Sequence, residues 1–543
     1  MEQDLTPPAE LDVAPRRIPI VLRLLAILIV GALALRLLPT TPAVAPVSAA
    51  SSKDTVTILA GVPQSIDPAH HGDLGSATFI SQLFESLTAV DPSLKVQPAL
   101  AKSWSVEPGG KRVVFTLRAG LTFSDGSPLT SADVVHSWRR LFTPGAVSPL
   151  ASLIADVSGA RALLDGSATD PTTLGVHADG PTRVVVDLDR GGGDLPAIVS
   201  GAPFGIVPAT AGDSEIQLSA AGFVGSGGYG LSSVAADSIV LTANARYWAG
   251  TPAIHTVKML ATLGGASAID AFSNGDIDIT EIGSLDSEWI AFDRDLGPSL
   301  RTDPSLTVSY FGFDTTKKPF DDARVRRAFA MAVDWRRLAT LDGPGTSLPA
   351  TGMVPAGIPG APTGDFLPAF DPASAKALLA QAGFPGGAGL PPVTFIGDGF
   401  SYDDAVVSEL RQNLGVTVDY GTMDFASYSR RLATDPPQIW KLSWSADYPG
   451  PNDFLGVLLG TGSTANQGHW SNAAFDQAVE DGAAAGTPAG ATAAWAKALA
   501  IVRDEVPTVP VSYGTSWSLV RDGLLGASQN GLGIIRLAGL AWR

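Results

Sequence analysis

Few residues in this 543-residue chain carry catalytic or ligating chemistry. There are six histidines (His70, His71, His136, His177, His255 and His469) and no cysteine. Lack of cysteine removes disulfides, thiolate metal sites, iron–sulfur clusters, a thiol nucleophile and a lipid-modified cysteine anchor. His70-His71, flanked by Asp67 and Asp73, offer imidazole and carboxylate groups suited to a divalent ion. Adjacent histidines rarely point at one ion, so an ordinary loop is the simpler reading and no metal is expected. The pairs Asp321-Asp322 and Asp403-Asp404 have the residue type for acid–base work. Helix capping and solvated surface account for them more simply. The chain has no G-x-S-x-G elbow, no H-E-x-x-H and no G-x-x-x-x-G-K-[ST] loop, and its glycine run GSGGYG at 225–230 is not the dinucleotide fingerprint. No catalytic residue and no cofactor are expected.

Composition narrows the classes further. The balance of 36 basic against 53 acidic residues, net −17, lacks the basic face that a general grip on nucleic acid needs. Hydrophobic residues at 45% supply a large core, and 59 glycines with 41 prolines supply many turns. The length allows three or four domain-sized units, at about 150 residues each.

At the N-terminus, Arg16, Arg17 and Arg23 precede an uncharged apolar run, Leu24 to Leu35, closed by Arg36. As a helix that run rises about 18 Å, short of the roughly 30 Å hydrocarbon layer. With both flanking arginines snorkelling, 18–38 approaches a span. Residues 1–38 therefore read as a secretory signal or a membrane anchor. Small-residue cleavage candidates at Ala43-Val44-Ala45 and Val47-Ser48-Ala49 lie well beyond the run, and Arg36 is awkward inside a cleaved signal, which favours the anchor. Residues 39–53 (PTTPAVAPVSAASSK) form a Pro/Ala/Ser linker. The folded part begins near Asp54, outside the cytoplasmic membrane, secreted or periplasmic if the segment is cleaved.

Beyond it, helix and strand patterns alternate. Residues 111–118 (KRVVFTLR) place Val113, Phe115 and Leu117 on one strand face. Thr130-Ser131-Ala132-Asp133 opens a helix whose apolar face is Val134, Val135, Trp138, Leu141 and Phe142. A second helix follows Asp321-Asp322, with Arg324, Arg326 and Arg327 largely off its buried stripe. A third is bracketed by Asp371-Pro372 and Gly383. Residues 184–186, 393–396 and 416–420 read as strands. The fold class is α/β.

The segment 113–142, VVFTLRAGLTFSDGSPLTSADVVHSWRRLF, resembles the extracellular solute-binding proteins of peptide ABC transporters, family 5. Other segments match the family's motifs in order. Ser65–Pro68 is similar to its LDP segment, Leu83–Leu87 to YEGL, and Gly225–Tyr229 with Asn244–Trp248 to GTGPY and N--YW. Gly275–Asp278 and the stretch Phe313–Asp334 follow, then Trp444–Pro451 (WSADYPGP), Asn466–Asp476 and Val509–Tyr513. The resemblance spans about 56 to 520.

It implies a two-lobed periplasmic-binding-protein-like fold (type II), with an additional α/β domain and a hinge joining the lobes. Lobe I would comprise 54–90, 205–300 and 511–543, the additional domain 91–204, and lobe II 305–510, with crossings near 301–310 and 505–512. It also implies capture of a peptide or other small solute by a monomer. The loaded protein would dock on an ABC permease driven by a separate ATPase. Asp447 would pair with the ligand's α-ammonium, the alternative being an exposed turn aspartate. Trp444 would line the same pocket or pack in a core, and Ser445 would bond the ligand main chain. Gly72, Asp73 and Leu74 would face the cleft from lobe I or form a plain loop. Tyr513 would cap the pocket or be structural. The sequence departs from DYPDP in having Gly450, which leaves ligand orientation open. Alternatives are a membrane-anchored sensor using the same cleft, a member binding a nickel complex or sugar, and an extracellular hydrolase.

Overall fold

The computed structural model describes residues 54–341, 347–397 and 402–543; the signal or anchor segment and the linker lie outside them. Among the described residues, no helix is long and apolar enough to cross a membrane.

Local signals set most elements. The strand Arg112–Leu117 alternates buried and less buried residues, as its period of two requires. The helix Ser131–Arg140 starts at Thr130, whose backbone N–H donates to the Asp133 carboxylate at 2.8 Å, one arm of a capping box. Its Trp138 is wholly buried, edge-on to Phe115 and Phe204 with centroids 6.4 and 5.7 Å away. Asp322 caps the helix Ala323–Met331, and Asp371 caps Pro372–Gln381, accepting from the Ser374 N–H at 3.0 Å. The strands Arg183–Asp187 and Val393–Gly397 contain their expected segments, whereas the third lies at Val418–Thr422. Gly415, at φ +74°, ends the preceding helix, and Val416 then packs into a core before the strand begins.

Two expectations are corrected. Arg326, expected off the buried stripe, is itself buried: it is 3% exposed. Its guanidinium donates to the carbonyls of Phe320, Glu505 and Val506, binding the C-terminal end of the helix Pro488–Glu505, where orphan carbonyls favour a cation. Asp403 is likewise fully buried. It sits 3.5 Å from the buried Lys441 ammonium and accepts from the Tyr420 hydroxyl, balancing a charge that its own helix covers.

Eleven strands form the main sheet among the described residues. Across it run Val418–Thr422, Val393–Gly397, Ile439–Ser445, Leu300–Phe313, Thr508–Val520, Ile279–Ile282, Thr55–Leu59, Thr256–Leu260, Ser238–Ala243 and Tyr229–Val234, with Ser347–Pro349 added to Thr508–Val520. A separate four-stranded antiparallel sheet holds Ala101–Val106, Arg112–Leu117, Arg183–Asp187 and Val176–Ala178.

The two long strands pair antiparallel but not continuously. Leu300–Pro304 face Leu519–Thr515, and after an irregularity Val308 faces Tyr513. A Cβ at Gly514 would meet the Cβ atoms of Thr307 and Ser305 at 3.0 and 3.3 Å, so this crowded crossing suits glycine. One end of the strand pair contributes Leu519 and Val520 to cores with Phe272, Val56 and Phe79. The other end contributes Val308 and Tyr513 to a core with Trp440 and Trp495, and Phe311 and Val509 to a core with Phe329 and Phe395. Val511 and Tyr513 thus pack with the half that the sequence reading ends at 510.

The Asp67–Arg140 pair ties the segment after Thr55–Leu59 to the small sheet's helix. The bond is bidentate, 2.9 and 2.6 Å, with both side chains essentially unexposed. Burial pushes the Asp67 carboxyl up, but Arg140 and the backbone N–H groups of Ile216 and Ala69 outweigh it and hold the net value below the usual one. Asp67→Ala leaves a buried guanidinium uncompensated and is expected to cost about 3–5 kcal/mol in urea unfolding. Because the folded-state value is lowered, this contribution is present above pH ~4 and lost as pH falls through the lowered value.

Candidate functional site

A cavity of about 610 Å³ opens beside the crossing of the two long strands. Its floor is Ser305 and Thr515–Trp517, the residues flanking the break in pairing. One wall carries His71–Leu74, Glu85 and the end of Ile279–Ile282; another carries Ser445–Asp447; the segment 529–534 with Arg536 completes it. The Leu306 carbonyl accepts from Ala446 N–H and its N–H donates to the Gly531 carbonyl, so the floor's spare backbone groups hold two of the lining segments. The size falls within the roughly 300–1,000 Å³ typical of small-ligand sites.

The structure brings Gly72, Asp73, Leu74, Ser445 and Asp447 to this cavity. Asp73 is also the N-cap of the helix Leu74–Leu83, one oxygen accepting from Ser76 N–H at 2.8 Å. Leu74 is 54% exposed and lines the cavity with apolar surface. The metal alternative finds no support, since Asp67 is engaged by Arg140 and no ligand cluster of three or more His, Asp or Glu occurs among the described residues.

Trp444 and Tyr513 do not line the cavity. The Trp444 indole N–H donates at 3.2 Å to Asp453, whose same oxygen accepts the Asp447 backbone N–H at 3.1 Å. Trp444 therefore stands behind the wall, steadying the turn that presents Asp447. The Tyr513 hydroxyl donates to the Gly352 and Val354 carbonyls and accepts the N–H groups of Thr351 and Gly352. It ties a loop to the long strand, a structural post.

Asp447 is the unusual member. Burial pushes its carboxyl up to about 6, and no Lys or Arg pairs with it among the described residues. Asp453 behind it is fully buried, and burial together with the Asp447 charge pushes it well above the carboxylate range. At Gly450, a Cβ would stand 2.6 Å from the Tyr448 ring and 3.4 Å from the Asp194 carboxyl carbon. Asp194, from the segment preceding Leu195–Ile198, is itself raised to about 6 by burial. The carboxylate absent at 450 is thus replaced nearby by one from a distant part of the chain. This side of the site is acidic and lacks a counter-charge.

Sequence reading missed three lining features. Glu281, exposed and accepting from Gln529, comes from the strand Ile279–Ile282. Trp517 lies on the floor. Arg536 donates to both oxygens of the buried Glu85, at 2.6 and 2.8 Å, and Tyr247 donates to Glu85 as well. Glu85 sits inside the matched Leu83–Leu87 motif, but its partner is 451 positions away and has no local signature.

Comparisons with known proteins agree on the family. The model for bacterial extracellular solute-binding proteins, family 5 Middle, matches residues 95–466. A probable deoxycholate-binding periplasmic protein of Escherichia coli (strain K12), YgiS, is 30% identical over 467 residues, spanning 83% of this chain and 86% of that protein. The periplasmic murein peptide-binding protein MppA of the same strain is 29% identical, spanning 89% and 91%. The unliganded open form of MppA superposes with a TM-score of 0.78 at 27% identity, covering 91% of this chain and 98% of that one. A second structure, of Escherichia coli MppA, gives 0.71.

An acid whose folded-state value is raised costs stability as pH climbs from its ordinary value, near 4, toward 6. Asp447→Asn removes that cost. The unliganded variant is expected to be more stable than the parent at pH 7 by about 1–2 kcal/mol, with the difference vanishing below pH ~4. Urea unfolding at both pH values checks it.

Proposed function

This chain belongs to the bacterial extracellular solute-binding proteins of family 5, and on that premise we propose that its ligand is a short peptide held by its free amino terminus at Asp447. The chain is the extracytoplasmic substrate-binding component of an ABC importer, delivering solute to a membrane permease. Capture, with no chemistry on the ligand, is its whole task.

One observation carries the ligand assignment: the half-buried carboxylate of Asp447, raised by desolvation, lines a solute-sized cavity and pairs with no Lys or Arg among the described residues. Desolvation there makes an uncompensated charge costly, and a ligand ammonium offsets that cost with charge-assisted hydrogen bonds. A ligand bearing only a carboxylate, deoxycholate for example, leaves Asp447 unpaired and adds like charge. Gly72–Leu74 and Ser445 then contribute apolar contact and main-chain hydrogen bonds.

The long strand pair serves as the hinge. Its two ends sit in different cores, so a ligand touching both walls favours the closed arrangement by differential affinity. Residues 18–38 tether the protein at the outer face of the membrane, and it acts as a monomer.

Tri-alanine is expected to bind in isothermal titration calorimetry, and N-acetyl-tri-alanine to bind at least about 100-fold more weakly. Asp447→Asn should erase that difference. Equal binding of both peptides to the parent chain sinks the amine-anchor reading. Affinity for tri-alanine should also fall as pH drops below about 6, because the anchor must be a carboxylate.

A further inference from the structure

We propose that Arg536 is the cleft's carboxylate anchor, receiving the acidic end of the ligand whose amine Asp447 holds. The proposal deepens the amine-capture reading and rests on it for the peptide class, but its geometry is separate.

Arg536 is the one Lys or Arg in the cavity lining among the described residues, a lining that also includes Asp73, Glu85, Glu281 and Asp447. Its hydrogen bonds to Glu85 and Tyr247 all leave from one terminal nitrogen, Nη2. The other two nitrogens, Nε and Nη1, make no hydrogen bond to the described residues, and 35% of the side chain is accessible. A guanidinium presents five donors in a planar fork, so two Nη2 hydrogens spent on Glu85 and Tyr247 leave three.

The supporting groups are built for holding, not for solvent exposure. Glu85 is 2% exposed, and its backbone N–H donates to the buried Ser226 hydroxyl. Tyr247 is 8% exposed and donates to the Glu85 carboxylate. The Glu85 charge raises Arg536 further above its ordinary value, so the guanidinium stays cationic. Glu85 and Tyr247 are positioning residues that fix one edge of the fork and turn the remainder to the cleft.

The placement matches a zwitterion. Asp447 follows the strand Ile439–Ser445, whose Trp440 packs in one core, while Arg536 precedes Leu537, which packs in another. A ligand carrying both charges joins the two bodies. One lacking its carboxylate grips only the Asp447 wall and leaves Arg536 unused.

The test measures four ligands by calorimetry: tri-alanine, tri-alanine amide, N-acetyl-tri-alanine and deoxycholate. The parent chain is expected to prefer the free acid over the amide by at least about tenfold, a ratio falling to within about twofold of unity in Arg536→Gln. Since that variant strands the buried Glu85, the double variant Glu85→Gln/Arg536→Gln, which leaves neither charge, repeats the measurement if the single one does not fold. A parent that binds acid and amide equally yet rejects the N-acetyl peptide overturns the Arg536 assignment and leaves amine capture standing. So does an acid preference that survives both variants. Binding of deoxycholate alone, lost in both variants, sustains the anion anchor while removing the peptide reading. Failure of all four ligands to bind overturns both.

Discussion

The pairing of Leu300–Phe313 with Thr508–Val520 is the constraint on which the rest of the molecule turns. Each strand enters one hydrophobic core with one end and a different core with the other. Thr508–Val520 is buried at both ends and only half-buried in its middle, at Gly514–Trp517. The pairing is broken there, between Pro304 and Val308, and the cavity floor lies at the break. The cavity floor and the break in pairing therefore fall on neighbouring residues.

The cleft departs from the rules that govern the cores. In the cores, Asp67 is met by Arg140 and Asp403 by Lys441, and at the cleft's edge Glu85 is met by Arg536. Asp447 and Asp453 have no such partner, and the Asp447 charge raises Asp453 further. Such an arrangement lowers the stability of the empty protein and raises the gain from a cationic ligand. Trp444 shows how the arrangement is kept rigid, since its indole holds Asp453 and Asp453 holds the backbone of Asp447. The aromatic residue of the motif serves the site without touching the cavity.

Much of the local architecture was legible because short-range physics decides it. Thr130, Asp322 and Asp371 begin helices where a side-chain oxygen is needed for orphan N–H groups, and Gly383 and Gly415 stand where helices must end. The period-two strands follow from one buried face. The same signals failed where a distant partner changed a residue's environment. Asp403 reads as surface from its neighbours in sequence, and only the folded chain, which brings the Lys441 and Tyr420 side chains to it, explains its burial. Arg326 reads as lying off its helix's buried stripe, and only the end of a helix finishing at Glu505 explains its burial.

By itself the sequence determined an α/β chain without thiol chemistry, its cap and strand positions, the ordered motifs of a solute-binding family, and Asp447 as the carboxylate to watch. Tertiary structure alone decided that Asp447 lacks a cation, that Trp444 and Tyr513 stand behind the wall, that Asp194 approaches Gly450, and that Arg536 reaches Glu85. The physical reason is range. Caps, turns and periodicity act over a few residues, which a linear reading sees. Desolvation and ion pairing depend on what the folded chain places within a few ångströms, across separations of up to 451 positions.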